Sequence, residues 1–265
     1  MKPIYIESIG VLAPGLAGWP QARTVLAGAA QYVPTPLPPL KPARLAPDVR
    51  RRTTDHIRIA IEVADEATQA LGDGARDLAS VFASSDSDGA ITHDICLAVS
   101  KSDPQVSPTR FHNSVNNAPA GYWCMAIGSQ APSTSVTGYD GTFAIGLLEA
   151  ASQLLTDTPR VLLIVHDTPL PEPLHGARPF HAIFGAALVL TATPATASLA
   201  RLELDIVGPQ RETPLDNADL EKLRTGNPAA RALPLLAAVA GKHKTQIHLP
   251  YLSSRTLAVH IEAYS

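Results

Sequence analysis

Cysteine is nearly absent from this chain of 265 residues. The two present, Cys96 and Cys124, are far apart and lack metal-ligand spacing, which excludes a disulfide framework and a cysteine zinc site. Charged residues make up 17%, too few for a charge-rich disordered chain. The formal charge of −3 leaves no basic footprint for nucleic acid or an anionic membrane. No apolar run reaches the roughly 18 residues of a membrane span, and the N-terminus has no charged-then-apolar leader, so a cytoplasmic location is expected. Apolar residues still amount to 45%, enough for a sizeable core, and no low-complexity linker divides the chain. A single α/β domain over residues 1–265 is the expectation.

Proline, by contrast, is abundant, with 24 residues, and clusters in VPTPLPPLKPARLAP between Val33 and Pro47. Repeated proline forbids helix and favours an extended segment lying on the surface, or a ligand for a proline-recognition module. After it, Arg50 to Leu71 reads as an amphipathic helix with Ile57, Ala60, Ile61, Ala64 and Ala67 on one face. Arg50, Arg51 and Arg52 at its start oppose the helix dipole; they are either a solvated cluster or a seat for an acidic surface. Upstream, Ile4 to Val11 reads as a strand and Trp19 to Ala29 as a helix.

The most informative stretch is APSTSVTGYDGTFAIGLLEAA, from Ala131 to Ala151. It reads as a short strand, a tight elbow at Gly138 and Gly141, and an apolar helix. Such an elbow presents one side chain at a helix N-terminus, where backbone N–H groups stabilise negative charge. Here the side chain at the tip is Asp140.

This segment resembles the active-site elbow of the β-ketoacyl synthases, in which a strand leads through Thr-Ala-Cys into a helix. Aligned from Pro132, the family's Thr-Ala-Cys becomes Gly138, Tyr139 and Asp140, so the nucleophile position holds a carboxylate. The resemblance continues through VSPTRFHNSVNNAPAGYW (Val106 to Trp123), VFASSDSDG (Val81 to Gly89), VLLIVHDTPLPEPL and AIFGAALVL (Ala182 to Leu190). It covers residues 1–190 as the N-terminal half of a thiolase-like fold and leaves residues 191–265 as a severely reduced second half, with room for a couple of helices and one or two strands. The histidine motifs of the family's second half do not occur.

The resemblance implies a ketosynthase-shaped protein without the thiolate needed to carry an acyl thioester, and no cofactor. Families of that description act as chain length factors in type II polyketide and aryl polyene systems, paired with a catalytic ketosynthase as a heterodimer and served indirectly by an acyl carrier protein; a homodimer is the alternative assembly. By the same resemblance, the strand Ser133, Thr134, Ser135 and Val136 pairs across the dimer axis, with Tyr122 and Trp123 near that interface. Asp86 and Arg110, with Phe111 beside it, fall at positions that bound the family's acyl pocket. An acid and a base at these positions are either ordinary solvated charges or a pair, within one subunit or across the dimer interface, that closes the acyl path.

Other constellations carry less. Ser84, Ser85 and Ser87 offer hydroxyls beside carboxylates for a hydrolase or acyltransferase, without the Gly-x-Ser-x-Gly elbow or an assignable base. The DSDG run lacks the ligand alternation of a calcium loop. His166, His175 and His181 lack the i, i+4 spacing of a zinc protease, so no metal is expected.

Overall fold

The apolar run Val161–Val165 has no polar side chain to turn toward water, and the structure buries it on both faces. The computed structural model describes residues 1–156 and 158–264. In chain order the strands are β1 (Ile4–Ala13), β2 (Leu16–Ala17), β3 (Ala79–Ala83), β4 (Ser133–Val136), β5 (Arg160–Asp167), β6 (Phe184–Thr191), β7 (Ala200–Val207), β8 (Lys244–Leu252) and β9 (Arg255–Ala263). The helices are α1 (Trp19–Leu26), α2 (Pro47–Arg50), α3 (Asp55–Thr68), α4 (Gly89–Val99), α5 (Pro108–Asn113), α6 (Ala118–Ile127), α7 (Thr142–Leu154), α8 (Leu174–Ala177), α9 (Ala218–Thr225) and α10 (Leu233–Ala240).

The strands form one mixed sheet in the order β4-β3-β5-β6-β1-β7-β9-β8, with β2 paired to β1. Strands β4, β3 and β5 run parallel; the remaining pairs are antiparallel. Parallel neighbours need long crossovers, supplied by α4 to α6 between β3 and β4 and by α7 between β4 and β5. Val161, Leu163 and Val165 pack on one face with Phe143 and Leu147 of α7 and Leu236 of α10. Leu162 and Ile164 pack on the other with Ile57 and Ile61 of α3 and Trp123 of α6. Each such side chain, fully buried, contributes roughly 1.5–3 kcal/mol. This is the layered α/β fold expected from the sequence.

Two local expectations need correction. The helix foreseen from Arg50 begins at Asp55: the chain makes the short α2, turns through Arg51 and Arg52, and starts α3 after Thr53-Thr54. An acid, Asp55, thus occupies the first turn and the arginines stand outside it, as the helix dipole favours. Residues 191–265 hold three strands, where one or two were expected, with α9 and α10. The alternation of ARLELDIV makes β7, and a turn at Ser253-Ser254 folds β8 onto β9, so this part extends the same sheet.

The proline-rich segment lies extended against α3. Leu40 and Leu45 are buried in its core, the Lys41 N–H donates to Glu62 Oε1 at 2.6 Å, and Arg44 pairs with Asp65 at 2.6 Å. Deeper along α3, Glu66 accepts from the backbone N–H of Val11 at 2.9 Å and of Trp19 at 2.5 Å, tying the β1–β2 turn to the helix. Removing this carboxylate leaves two N–H groups without acceptors, a cost of about 1–3 kcal/mol. Glu66→Ala is therefore expected to lower the unfolding free energy by about 2 kcal/mol in urea titration. Glu66→Gln, which keeps one acceptor oxygen, should lose roughly half as much.

Candidate functional site at the strand-to-helix elbow

Because β3, β4 and β5 are parallel, their carboxyl ends open on the same side of the sheet, the usual place for a site in α/β proteins. Between β4 and α7 the chain makes the elbow foreseen from the sequence. Tyr139 takes a left-handed φ of 55°, and a short 3₁₀ turn, Tyr139–Gly141, leads into α7. Gly141 is required by close approach, since a Cβ there would meet the Tyr251 carbonyl oxygen of β8, whereas at Gly138 a Cβ would meet only the movable tip of Ile145. Thr142 locks the turn, accepting from the Gly138 N–H at 3.0 Å and donating to the Tyr139 carbonyl at 2.7 Å.

Asp140 stands at the tip, half exposed, beside the N-terminus of α7. Its partner is Arg178, which arrives from the segment after α8 and donates to Asp140 Oδ1 at 3.2 Å. The other terminal nitrogen of Arg178 donates to Asp86 Oδ2 at 2.5 Å. The guanidinium lies 3.6 Å from the centre of the Tyr139 ring. Arg178 is 15% exposed, and this one side chain joins the loops that follow β3, β4 and β5.

A pair between Asp86 and Arg110 is not made within the chain. Asp86 pairs with Arg178, and Arg110, exposed on α5, pairs with Asp94 of α4. Phe111 beside it is 66% exposed and lines an open groove of about 930 Å³ with Val115, Tyr122 and Met125. Trp123 is 1% exposed and packs within its own chain, and the Tyr122 hydroxyl donates to Asn113 Oδ1 at 3.0 Å, so core packing accounts for both. The outward residues of α6 are Gly121 and Met125. Ser133 to Val136 form β4 at one edge of the sheet, paired to β3 alone.

At the carboxyl ends of β3 and β5 lies a buried polar cluster whose convergence sequence reasoning missed. Ser84 Oγ and the Ser85 N–H both donate to Asp167 Oδ1 at 2.9 Å. The His56 and His166 rings are 4.4 Å apart, and Asp88 caps α4 through the Ile91 N–H at 3.0 Å. All six residues are buried, and both ring nitrogens of His56, Asp88 Oδ2 and Asp167 Oδ2 have no hydrogen-bond partner. The pairing of β3 and β5 brings Ser84, Ser85, His166 and Asp167 together, α3 adds His56 and the start of α4 adds Asp88; the sequence carried no local sign of this convergence. Ser87 Oγ donates to Asn116 Oδ1 at 2.8 Å, and among the described residues none of the three serines bonds an imidazole. No group of three or more His, Cys, Asp and Glu side chains among the described residues is placed to hold a metal ion. No described helix is long and apolar enough to cross a membrane.

Burial holds the His56 imidazole down to about 4 against the pull of Asp88, and burial with the neighbouring His56 holds His166 well below its usual value. Burial lifts Asp167 to about 7 against its hydrogen bonds, with Asp86 adding to the rise. His56, depressed on folding, lends stability above pH 6.5 that is lost as pH falls toward 4, and His166, also depressed, acts in the same direction. Asp167, raised on folding, lends stability at low pH that is lost as pH climbs from 3.8 to about 7. Between pH 4 and 6.5 His56 opposes Asp167. The His56→Gln variant is therefore expected to show a pH slope of unfolding free energy shallower by up to about 1.4 kcal/mol per unit in this window, measured by urea titration at several pH values. An unchanged slope would show that His56 titrates alike in both states.

A family model described as the β-ketoacyl synthase N-terminal domain matches residues 19–252. No curated protein sequence matches the chain. Among solved structures, it is similar to a chain of the ketosynthase ApeO in complex with its chain length factor ApeC from Xenorhabdus doucetiae. That match has 17% identity and a TM-score of 0.74, and covers 97% of this chain and 98% of the other. The ishigamide ketosynthase/chain length factor matches at 12% identity and a TM-score of 0.76 over 100% of both chains. The ketosynthase from module 6 of the bacillaene synthase of Bacillus subtilis 168 matches at 10% identity and a TM-score of 0.64, over 99% of this chain but 70% of its own. With a family match that runs from α1 to the end of β8, the chain belongs to the β-ketoacyl synthase family.

Proposed function

We propose that this protein is a noncatalytic, chain-length-factor-type subunit that pairs with a catalytic ketosynthase in fatty acid or polyketide-type synthesis of the aryl polyene kind. The observation that carries this reading is Asp140. It stands at the elbow tip where a condensing enzyme presents its thiolate, and it is held there by Arg178. A carboxylate in an ion pair cannot carry an acyl group as a thioester, so the condensing chemistry must reside on another chain. The solved structures support the same reading, since two of those this chain is similar to are ketosynthase/chain length factor pairs. An acyl carrier protein would meet the partner and touch this subunit only indirectly. A cytoplasmic location belongs to the same reading.

The surface offers a place for the partner. In β4, the Pro132 and Val136 carbonyls accept from the Ser80 and Ser84 N–H groups of β3, so alternation turns the backbone groups of Ser133 and Ser135 outward. An open edge of this kind seeks another strand. It adjoins α6, whose Met125 is exposed beside Phe111 and Val115 in the apolar groove. We assign this edge and groove to the catalytic ketosynthase.

Co-expression with the ketosynthase encoded beside it should yield a stoichiometric complex on size-exclusion chromatography with light scattering. A protein that stays monomeric alone and with that ketosynthase would sink the proposal; one that only self-associates would turn it toward a homodimer. Ser135→Pro removes an outward N–H while leaving the bonds to β3, and should weaken the complex at least tenfold with an unchanged far-ultraviolet spectrum. Incubated alone with acyl and malonyl carrier protein, the chain should show no acyl adduct by intact mass; a stable adduct would refute the noncatalytic reading.

A further inference from the structure

A carboxylate at the nucleophile position removes acyl-carrying chemistry but does not by itself keep an acyl chain out of the space behind the elbow. Three observations concern that space. The Arg178 guanidinium spans from Asp140 on the elbow to Asp86 on the loop after β3. Its flat face covers the Tyr139 ring at 3.6 Å, with Phe180 on the same guanidinium at 4.9 Å. It is 15% exposed, whereas Asp140 is 48% and Tyr139 62% exposed, so the arginine is the least accessible of the three.

We infer that Arg178 is a latch that bars acyl chains from this subunit's own elbow, so that the growing chain is confined to the partner's side. This rests on the chain-length-factor reading and adds to it the residue that enforces the confinement. An apolar chain entering past position 140 would have to displace the guanidinium from two carboxylates and an aromatic face together. It would leave Asp86, 31% exposed, facing an apolar ligand without its counter-charge, which is unfavourable. The latch also ties the loops after β3 and β5 to a left-handed turn at Tyr139, fixing the elbow against the rearrangement that would open a path.

The test restores an attachment point. In the full chain, Asp140→Cys is labelled with a thiol-reactive decyl tail ending in an environment-sensitive fluorophore. The same is done for Asp140→Cys combined with Arg178→Met, which keeps an apolar stem over Tyr139, and combined with Asp86→Asn and Arg178→Ala, which removes the charge cluster. Circular dichroism and thermal melts confirm that each variant is folded. With Arg178 in place the tail should be quenched by iodide as readily as the free fluorophore; in at least one latch variant quenching should fall threefold or more, with a blue-shifted emission. A tail already buried with Arg178 present, or equally exposed in every folded variant, would overturn the inference. Because the readout needs no ketosynthase, failure of the latch and failure of partner binding are separate results.

Discussion

Parallel pairing of β4, β3 and β5 is the constraint on which the site depends. Strands that run the same way end on the same side, so the segments following them must converge whatever their composition. Asp86 follows β3, Asp140 follows β4 and Arg178 follows β5, and a single guanidinium closes the triangle. The register then decides which side chains lie beneath. Ala83 pairs with Val165, so the next residues, Ser84 and His166, and after them Ser85 and Asp167, fall together at the end of the sheet. This part of the polar cluster is therefore a consequence of strand register and not of any local motif.

The C-terminal part is tied to this convergence. The end of β8 passes so close to the elbow that Gly141 has no room for a side chain against the Tyr251 carbonyl. Residues 209–212 and 250–256 wall a cleft of about 500 Å³ over Asp140. The hairpin β8–β9 thus covers the elbow while β7 joins it to β1, which explains why a short second part is kept within the same sheet. Arg224, 5% exposed, is paired with Glu221 and Glu212 just behind that wall, and Glu212 also pairs with Arg231. Such a network fixes where the loop after β7 can lie, because an arginine buried without its carboxylates would be costly.

The elements with strong periodicity were legible in the sequence. Strand β4, the elbow and the helix after it follow from β-branched runs, paired glycines and apolar spacing, signals set by nearest neighbours along the chain. Asp140 was legible because the elbow places one residue at its tip. The partner of Asp86 was not. Arg110 was the candidate by its aligned position, yet α5 lies against α4 and gives Arg110 the nearby Asp94, while Arg178 reaches the site from a short helix 92 residues further on than Asp86. No pattern of period 2 or 3.6 connects positions so far apart. The three-stranded C-terminal meander was underread for a related reason: β7 shows clean alternation, but half of β8 is exposed, and its pairing with β9 depends on a turn without glycine.

A closure made of charge differs physically from one made of apolar side chains. The pair between Asp140 and Arg178 is half open to water and contributes at most about 1 kcal/mol to stability. The cluster therefore owes its role to what it excludes. Two carboxylates against one guanidinium leave an excess negative charge, which the N-terminus of α7 faces with the positive end of its dipole. An aliphatic chain offers nothing to any of these groups, so it meets the full cost of separating them. A packed leucine in the same place would yield to another aliphatic surface with little penalty. The latch proposed for Arg178 would discriminate against acyl chains in this way, through an ion pair beside an aromatic ring, the arrangement that Asp86, Asp140, Tyr139 and Arg178 make.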